Sequence, residues 1–250
     1  MNNSSRPLAG KIAIVTGGSR SIGAAIARRL AADGATVAIT YNASPERAQA
    51  VVQEIVSAGG QAIALAADAG YPEAVRAAVG EVVGRFGKID ILVNNAGISL
   101  LGAPQEFSFE DFQRILAVNV TGVFVATQEA LRHMGQGGRI IHIGSSVTHY
   151  VGLATASAYT LTKGAVTGFT RGLVRDLGPL GITVNTVHPG PTDSDMNPVD
   201  GPVADLFLPS IALGRYGEGK DVANAVAFLA SADAEFISGA ELMVDGGFTA

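Results

Sequence analysis

The sequence predicts a single α/β domain: a doubly wound, mostly seven-stranded parallel sheet with helices on both faces. Three observations carry this. Seven short β-branched runs alternate with longer Ala-rich segments of helical character. Most of the runs are apolar throughout rather than alternating, which suits parallel strands covered on both sides. No low-complexity linker interrupts the 250 residues, so 1–250 reads as one domain with right-handed crossovers.

In chain order, the strand-like runs are Lys11–Thr16, Thr36–Thr40, Gln61–Ala66, Ile89–Val93, Arg139–Ile143, Thr183–Val187 and Glu241–Val244. Between them the helical segments are Ile22–Asp33, Pro45–Ala58, Pro72–Phe86, Phe109–Met134, Ala158–Leu177 and Lys220–Ala230. The 32 glycines have no collagen-like period and cluster at turns between apolar runs, as tight strand-to-helix connections demand. The least regular stretch, about 189–213, is rich in Pro, Asp and Gly; a long irregular segment in a compact domain is more often functional than accidental, and it reads as a substrate lid.

Composition narrows the function. At 48% hydrophobic and 16% charged, the chain can bury a sizeable core and is not disordered. A net charge of −5 argues against nucleic acid as a partner, since phosphate backbones call for a basic surface. A small anionic cofactor remains open, because backbone N–H groups at a helix N-terminus hold phosphate without net positive charge. The absence of cysteine removes disulfides, thiol catalysis and thiolate metal sites, and fits a reducing cytosol. The segment Met1 to Lys11 is polar with no apolar h-region, and no run reaches the roughly 18 apolar residues of a membrane span. The expectation is a cytoplasmic protein with neither a leader nor a membrane partner. The four histidines show no ligand spacing, so no metal is expected. Asp193, Asp195 and Asp200 read as solvated or capping residues, and the pair His149-Tyr150 as either substrate-facing or surface.

The first strand ends in Thr16-Gly17-Gly18-Ser19-Arg20-Ser21-Ile22-Gly23, immediately followed by the helical Ala24-Ala25-Ile26-Ala27. Strand, glycine turn and helix N-terminus together form the setting in which a dinucleotide pyrophosphate is held. After the second strand comes Tyr41-Asn42-Ala43-Ser44, with no acid until Glu46 to accept from a ribose 2′-OH. Further on, Tyr159 and Lys163 lie four residues apart, one helical turn on one face. An ammonium beside a phenol favours phenolate and lowers a pKa that is otherwise near ~10, the tuning a general acid–base needs.

These motifs resemble the short-chain dehydrogenase/reductase family, from about Leu8 to the closing Val244-Asp245-Gly246-Gly247-Phe248. The closest subgroup in tone is the 3-oxoacyl-carrier-protein reductases, with a Rossmann fold. The family loop T-G-x-x-x-G-x-G is matched at Thr16, Gly17 and Gly23 and departed from at Ser21, where glycine is usual. Ser21 is expected to weaken cofactor binding modestly; the alternative is that serine is simply tolerated.

The resemblance implies NADP(H), with Arg20 in the position where a basic residue pairs with the 2′-phosphate and Asn42 and Ser44 as further donors. It implies cofactor contacts from Gly17, Ser19, Arg20, Ser21, Ile22 and Gly23 in the loop, and from Tyr41, Asn42 and Ser44 after the second strand. Asp68 and Ala69 follow the third strand and Asn95, Ala96 and Gly97 the fourth; Pro189, Gly190, Thr192 and Ser194 cup the nicotinamide. Tyr159 and Lys163 contact the cofactor as well.

For catalysis the resemblance implies Ser146, Tyr159, Lys163 and Asn119. Ser146 stands thirteen residues before Tyr159, which is the family spacing, whereas its neighbour Ser145 stands fourteen before. Asn119 matches the residue that holds a water leading from the lysine to solvent, and a mid-helix asparagine wants a reason to be there. The resemblance further implies a homotetramer or homodimer and a small carbonyl or alcohol substrate. A ketone reductase of the 3-oxoacyl kind is the first reading. A sugar or polyol dehydrogenase is the second, favoured by a hydrophilic pocket around Ser99–Pro104 and Thr192–Leu213; a non-catalytic NADP-binding sensor is the third.

Overall fold

A computed structural model describes residues 6–250; part of the N-terminal stretch read for a leader, residues 1–5, lies outside the described residues. The seven strands are β1 (Ile12–Val15), β2 (Thr36–Tyr41), β3 (Gln61–Ala66), β4 (Ile91–Asn94), β5 (Arg139–Ile143), β6 (Thr183–Pro189) and β7 (Glu241–Val244). They form one parallel sheet in the order β3-β2-β1-β4-β5-β6-β7. The principal helices are α1 (Ser21–Ala32), α2 (Pro45–Ser57), α3 (Pro72–Phe86), α4 (Phe109–Leu116), α5 (Gly122–Leu131), α6 (Ser157–Leu177), the single turn α7 (Ala204–Phe207) and α8 (Gly219–Ala230).

The unbroken apolar strands have a direct cause. Consecutive residues of a strand point to opposite faces, and here both faces are covered. Val15, Ile39, Val93 and Ile141 pack with Ile26 and Leu30 of α1, Val51 and Ile55 of α2 and Val226 of α8. Their neighbours Ile14, Ala38, Leu92 and Ile140 pack with Val79 and Val82 of α3, Val125 of α5 and Leu173 of α6. Each large side chain fully withdrawn from water contributes about 1.5–3 kcal/mol.

The expected helix Phe109–Met134 proves to be two. α4 stops at Leu116, a π turn spans Ala117–Thr121, and α5 resumes at Gly122 and ends at Leu131. Asn119 lies in the π turn, where its side chain bonds outside the helix altogether. A second difference is β6, which runs two residues past Val187: His188 and Pro189 pair with Met243 and Val244 of β7. Proline is tolerated there because it ends the strand. A third is the stretch 189–213, expected to be irregular, which contains α7 and a following 3₁₀ turn, Leu208–Ser210, anchored by a small core of Ala204, Ile211, Tyr216 and Phe248.

Candidate active site

The strand order reverses between β1 and β4, and such a reversal opens a crevice at the carboxyl ends of the strands. The glycine loop lines it. Gly17 adopts φ +66°, and a Cβ on Gly23 would stand 2.3 Å from the Gly17 carbonyl oxygen and 2.5 Å from Asn95 Nδ2. Only glycine fits at either position. Asn95 clamps the loop from β4: its Nδ2 donates to the carbonyls of Thr16 (2.9 Å) and Gly17 (3.0 Å). The backbone N–H groups of Asn95 and Ala96 both donate to Thr16 Oγ1 at 3.0 Å. The twelve-residue α1 starts at Ser21-Ile22 with no carboxylate in its first turn, so its positive end is open to an anion. Buried Ser19 precedes it, and Ser21 adopts φ +48°, a left-handed conformation that suits the usual glycine better.

The outer end of the crevice holds the residues expected near the adenosine. Asn42 Nδ2 donates to Asp68 Oδ2 at 2.8 Å, while Asp68 Oδ1 accepts from the Gly70 amide at 2.8 Å. Half-buried Tyr41 closes β2, and the Ser44 side chain makes no capping bond to α2. The Ala69 carbonyl packs so closely on Gly122 that a Cβ there would come within 2.2 Å of it. Arg20 reaches Asp195 at 3.2 Å, and Arg47, one residue that the sequence reading missed, reaches the same carboxylate oxygen at 2.6 Å. Asp195 is therefore paired rather than simply solvated. The signal for Arg47 was its place in the first turn of the helix that follows β2.

At the inner end, the Gly190 amide donates to the Val244 carbonyl at 3.0 Å, and a Cβ on Gly190 would meet the Asp245 backbone at 2.6 Å. Thr192 Oγ1 donates to the Gly190 carbonyl (2.9 Å) and Ser194 Oγ to the Thr192 carbonyl (3.3 Å). These bonds fix the segment after Pro189 against the end of β7 and within its own turns.

The proton-handling groups gather between α6 and the end of β5. Lys163 is buried; its Nζ donates to the Ile143 carbonyl at 2.9 Å and stands 5.7 Å from the centre of the Tyr159 ring. Burial lowers its pKa to about 8. Tyr159 differs from the sequence expectation: desolvation pushes its phenol above the ordinary range, and the partly opposing influence comes from the Ser145 hydroxyl. Ser145 bears on the phenol while its hydroxyl accepts from the Val147 amide at 3.3 Å, and Ser146, which the spacing selected, is buried at the start of a 3₁₀ turn. Spacing along a chain cannot tell which of two adjacent serines turns its hydroxyl toward the ring.

His188, fully buried on β6, pins Ser145: its Nδ1 lies 2.9 Å from the Ser145 carbonyl oxygen and 3.2 Å from the Ser145 amide. Asn119 accepts from the Ile98 amide (2.8 Å) and donates to the Ile98 carbonyl (2.8 Å) and to Thr162 Oγ1 (3.1 Å). It ties the π turn both to the loop after β4 that bears Gly97 and to the helix that bears Lys163. A Cβ on Gly97 would stand 3.6 Å from Lys163 Nζ. Buried His142 has its pKa lowered to about 3 by desolvation first and by the Lys163 charge second, so it stays neutral beside the ammonium.

Comparison with known proteins agrees with this geometry. A family profile described as enoyl-(acyl carrier protein) reductase matches residues 17–249. The chain is 43% identical to the cyclic-di-GMP-binding biofilm dispersal mediator protein of Escherichia coli K12, covering 96% of this chain and 98% of that one. It is 40% identical to a 3-oxoacyl-[acyl-carrier-protein] reductase of Staphylococcus aureus, covering 95% and 97%. A short-chain dehydrogenase from Burkholderia cenocepacia, solved in complex with NADP, superposes with a TM-score of 0.95 at 54% identity, covering 98% and 100%. The chain belongs to the short-chain dehydrogenase/reductase family of oxidoreductases.

Proposed function

We propose that the protein is an NADP(H)-dependent reductase of ketones in which Tyr159 is the general acid, Ser145 orients the substrate oxygen and Lys163 supplies positive charge beneath them. The observation that carries this is the convergence of a phenol, a hydroxyl and a buried ammonium beside a glycine-lined crevice. The residues present fit a dinucleotide: Gly17 and Gly23 leave room where a Cβ would collide, and α1 carries no carboxylate in its own first turn. Arg20 and Arg47, with no carboxylate among residues 42–44 between β2 and α2, favour a 2′-phosphate over a 2′-hydroxyl.

When bound, NADPH supplies the hydride that the carbonyl carbon receives. Tyr159, held protonated by its desolvation, donates its proton to the carbonyl oxygen as negative charge develops there. The Ser145 hydroxyl donates a hydrogen bond to the same oxygen. The Lys163 ammonium stabilises the phenolate that remains, and Asn119, through Thr162 and Ile98, ties the helix bearing Lys163 to the loop after β4.

An apolar ketone suits the surroundings better than a sugar. Leu101, Tyr150, Val151, Met196 and Val199 are all exposed, on segments that follow β4, β5 and β6. Tyr150 packs edge-on against Phe248, which packs in the same way against Phe207 of α7. The test is NADPH consumption with a panel of 3-oxoacyl thioesters, aryl and alkyl ketones and ketoses, for the wild type and Tyr159→Phe. Turnover of the apolar ketones that disappears in the variant, with NADPH binding retained, is the expected result. Near-normal turnover in Tyr159→Phe overturns the mechanism, and a preference for ketoses overturns the substrate class.

A further inference from the structure

Three donors from two distant parts of the chain converge on one carboxylate of a third. Arg20 and Arg47 hold Asp195 Oδ2 at 3.2 and 2.6 Å, and Ser21 Oγ donates to Asp195 Oδ1 at 3.2 Å. The Asp195 amide in turn donates to Ser21 Oγ at 3.1 Å. A segment of the lid is thereby strapped to the glycine loop across the mouth of the crevice. Among the described residues neither guanidinium has a second carboxylate within ion-pair distance. The three side chains are 45–59% exposed, so their pairing is screened by water and easily exchanged.

We propose that Asp195 is an internal anion that competes with the cofactor's 2′-phosphate for Arg20 and Arg47, and that Arg47 is a second recognition residue for that phosphate. The inference rests on the NADP(H) reading given above. Arg20 lies in the loop after β1 and Arg47 in the first turn of α2 after β2, the corner of the fold where the adenosine ribose of a dinucleotide lies. A phosphate offers three acceptor oxygens and close to two negative charges, against two oxygens and one charge for a carboxylate, so two guanidiniums favour the phosphate. Both anions cannot keep the arginines, because a carboxylate left beside the phosphate would repel it. Asp195 must therefore turn away when the phosphate arrives.

Ser21 acquires a role in this arrangement. Its left-handed backbone directs a hydroxyl that glycine lacks at the competing aspartate, and the amide half of the strap needs no carboxylate. The Asp195 N–H to Ser21 Oγ bond can persist across the crevice after the arginines have changed partners.

The test is binding without substrate, read from the fluorescence of NADPH and NADH titrated into the wild type, Asp195→Asn, Arg47→Ala and the double variant, with 2′-AMP and 5′-AMP as competitors. Wild-type preference for NADPH tests the cofactor reading; the variants test the competition. The expected results are a Kd for NADPH about fivefold lower in Asp195→Asn and about tenfold higher in Arg47→Ala, with NADH unchanged in both. The gain from Asp195→Asn should shrink when Arg47 is already absent, and 2′-AMP should follow NADPH while 5′-AMP follows NADH. Weaker NADPH binding in Asp195→Asn would mean that the carboxylate organises the arginines, and it overturns the proposal. Equal changes for NADPH and NADH also overturn it, since the effect would then not lie at the 2′ position.

Discussion

The Lys163 ammonium donates to the carbonyl of Ile143 at 2.9 Å, which joins the functional helix α6 to the last residue of β5, two residues before Ser145. A buried cation satisfied by one neutral carbonyl is a costly arrangement, and the lowered pKa of about 8 reflects it.

Replacing Lys163 by Met should abolish turnover and yet relieve a pH-dependent strain. Below pH 8 the folded chain holds the ammonium charged and buried while the unfolded chain holds it charged in water, so the cost is fully present. Between pH 8 and the ordinary lysine value of 10.5 the folded group is neutral and the unfolded one still charged, so the cost fades; above 10.5 it is gone. The stability of Lys163→Met relative to wild type should fall by about 3 kcal/mol between pH 7 and pH 10.5. Urea melts at both pH values measure it, and a pH-independent difference would refute it.

Ser145→Ala should lower kcat by about a hundredfold with NADPH affinity nearly unchanged, as loss of one donor to a developing oxyanion does. Ser146→Ala should change kcat by no more than about threefold. Steady-state kinetics of the two variants decide between the adjacent serines, and the opposite ranking would restore the assignment that spacing favours.

The pH profile of carbonyl reduction should be flat near neutrality and decline through about pH 8 as Lys163 loses its proton. Tyr159, displaced upward, keeps its proton throughout that range and does not set the limb. A kcat/KM profile of the wild type checks this; alcohol oxidation, which needs the phenolate, should not rise over the same interval, because Tyr159 stays protonated there.

Gly23→Ala should damage fold and cofactor site together. The new Cβ, 2.3 Å from the Gly17 carbonyl oxygen and 2.5 Å from Asn95 Nδ2, would force the loop off its clamp. A loss of about 1–3 kcal/mol in stability and at least about a hundredfold in NADPH affinity is expected, read by thermal melting and fluorescence titration. Gly84→Ala in α3, where a Cβ meets open space, is the control.

The fold was legible because its determinants are local and repeated. Strands such as Ile12–Val15 and Arg139–Ile143 are buried on both faces, and β6 extends two residues past Val187 because His188 and Pro189 find partners on β7. The π turn was invisible because its cause is tertiary: Asn119 exchanges two hydrogen bonds with Ile98, twenty-one residues away. Within the site, Gly17, Gly23, Asn95, Tyr159 and Lys163 were legible from motif and spacing. Which of the adjacent Ser145 and Ser146 serves the proposed role is not encoded by spacing, and the backbone of Ser145 is held by His188 from a different strand. The meeting of Arg47 with Asp195 joins residues 148 apart in the chain, which no local pattern encodes.

The π turn at Ala117–Thr121 also fixes the phase of the helix on either side of it. A π turn holds one residue more than an α turn, so deleting a single residue there would restore an uninterrupted α-helix. Everything on one side would then rotate by about 100° relative to the other. α4 would no longer present buried Ile115 inward, and Asn119 would leave Ile98 and Thr162. Length in this short stretch is therefore constrained more tightly than composition: substitutions at exposed Thr121 are tolerable, whereas a one-residue deletion would uncouple α4 from α6 while leaving the helix itself intact.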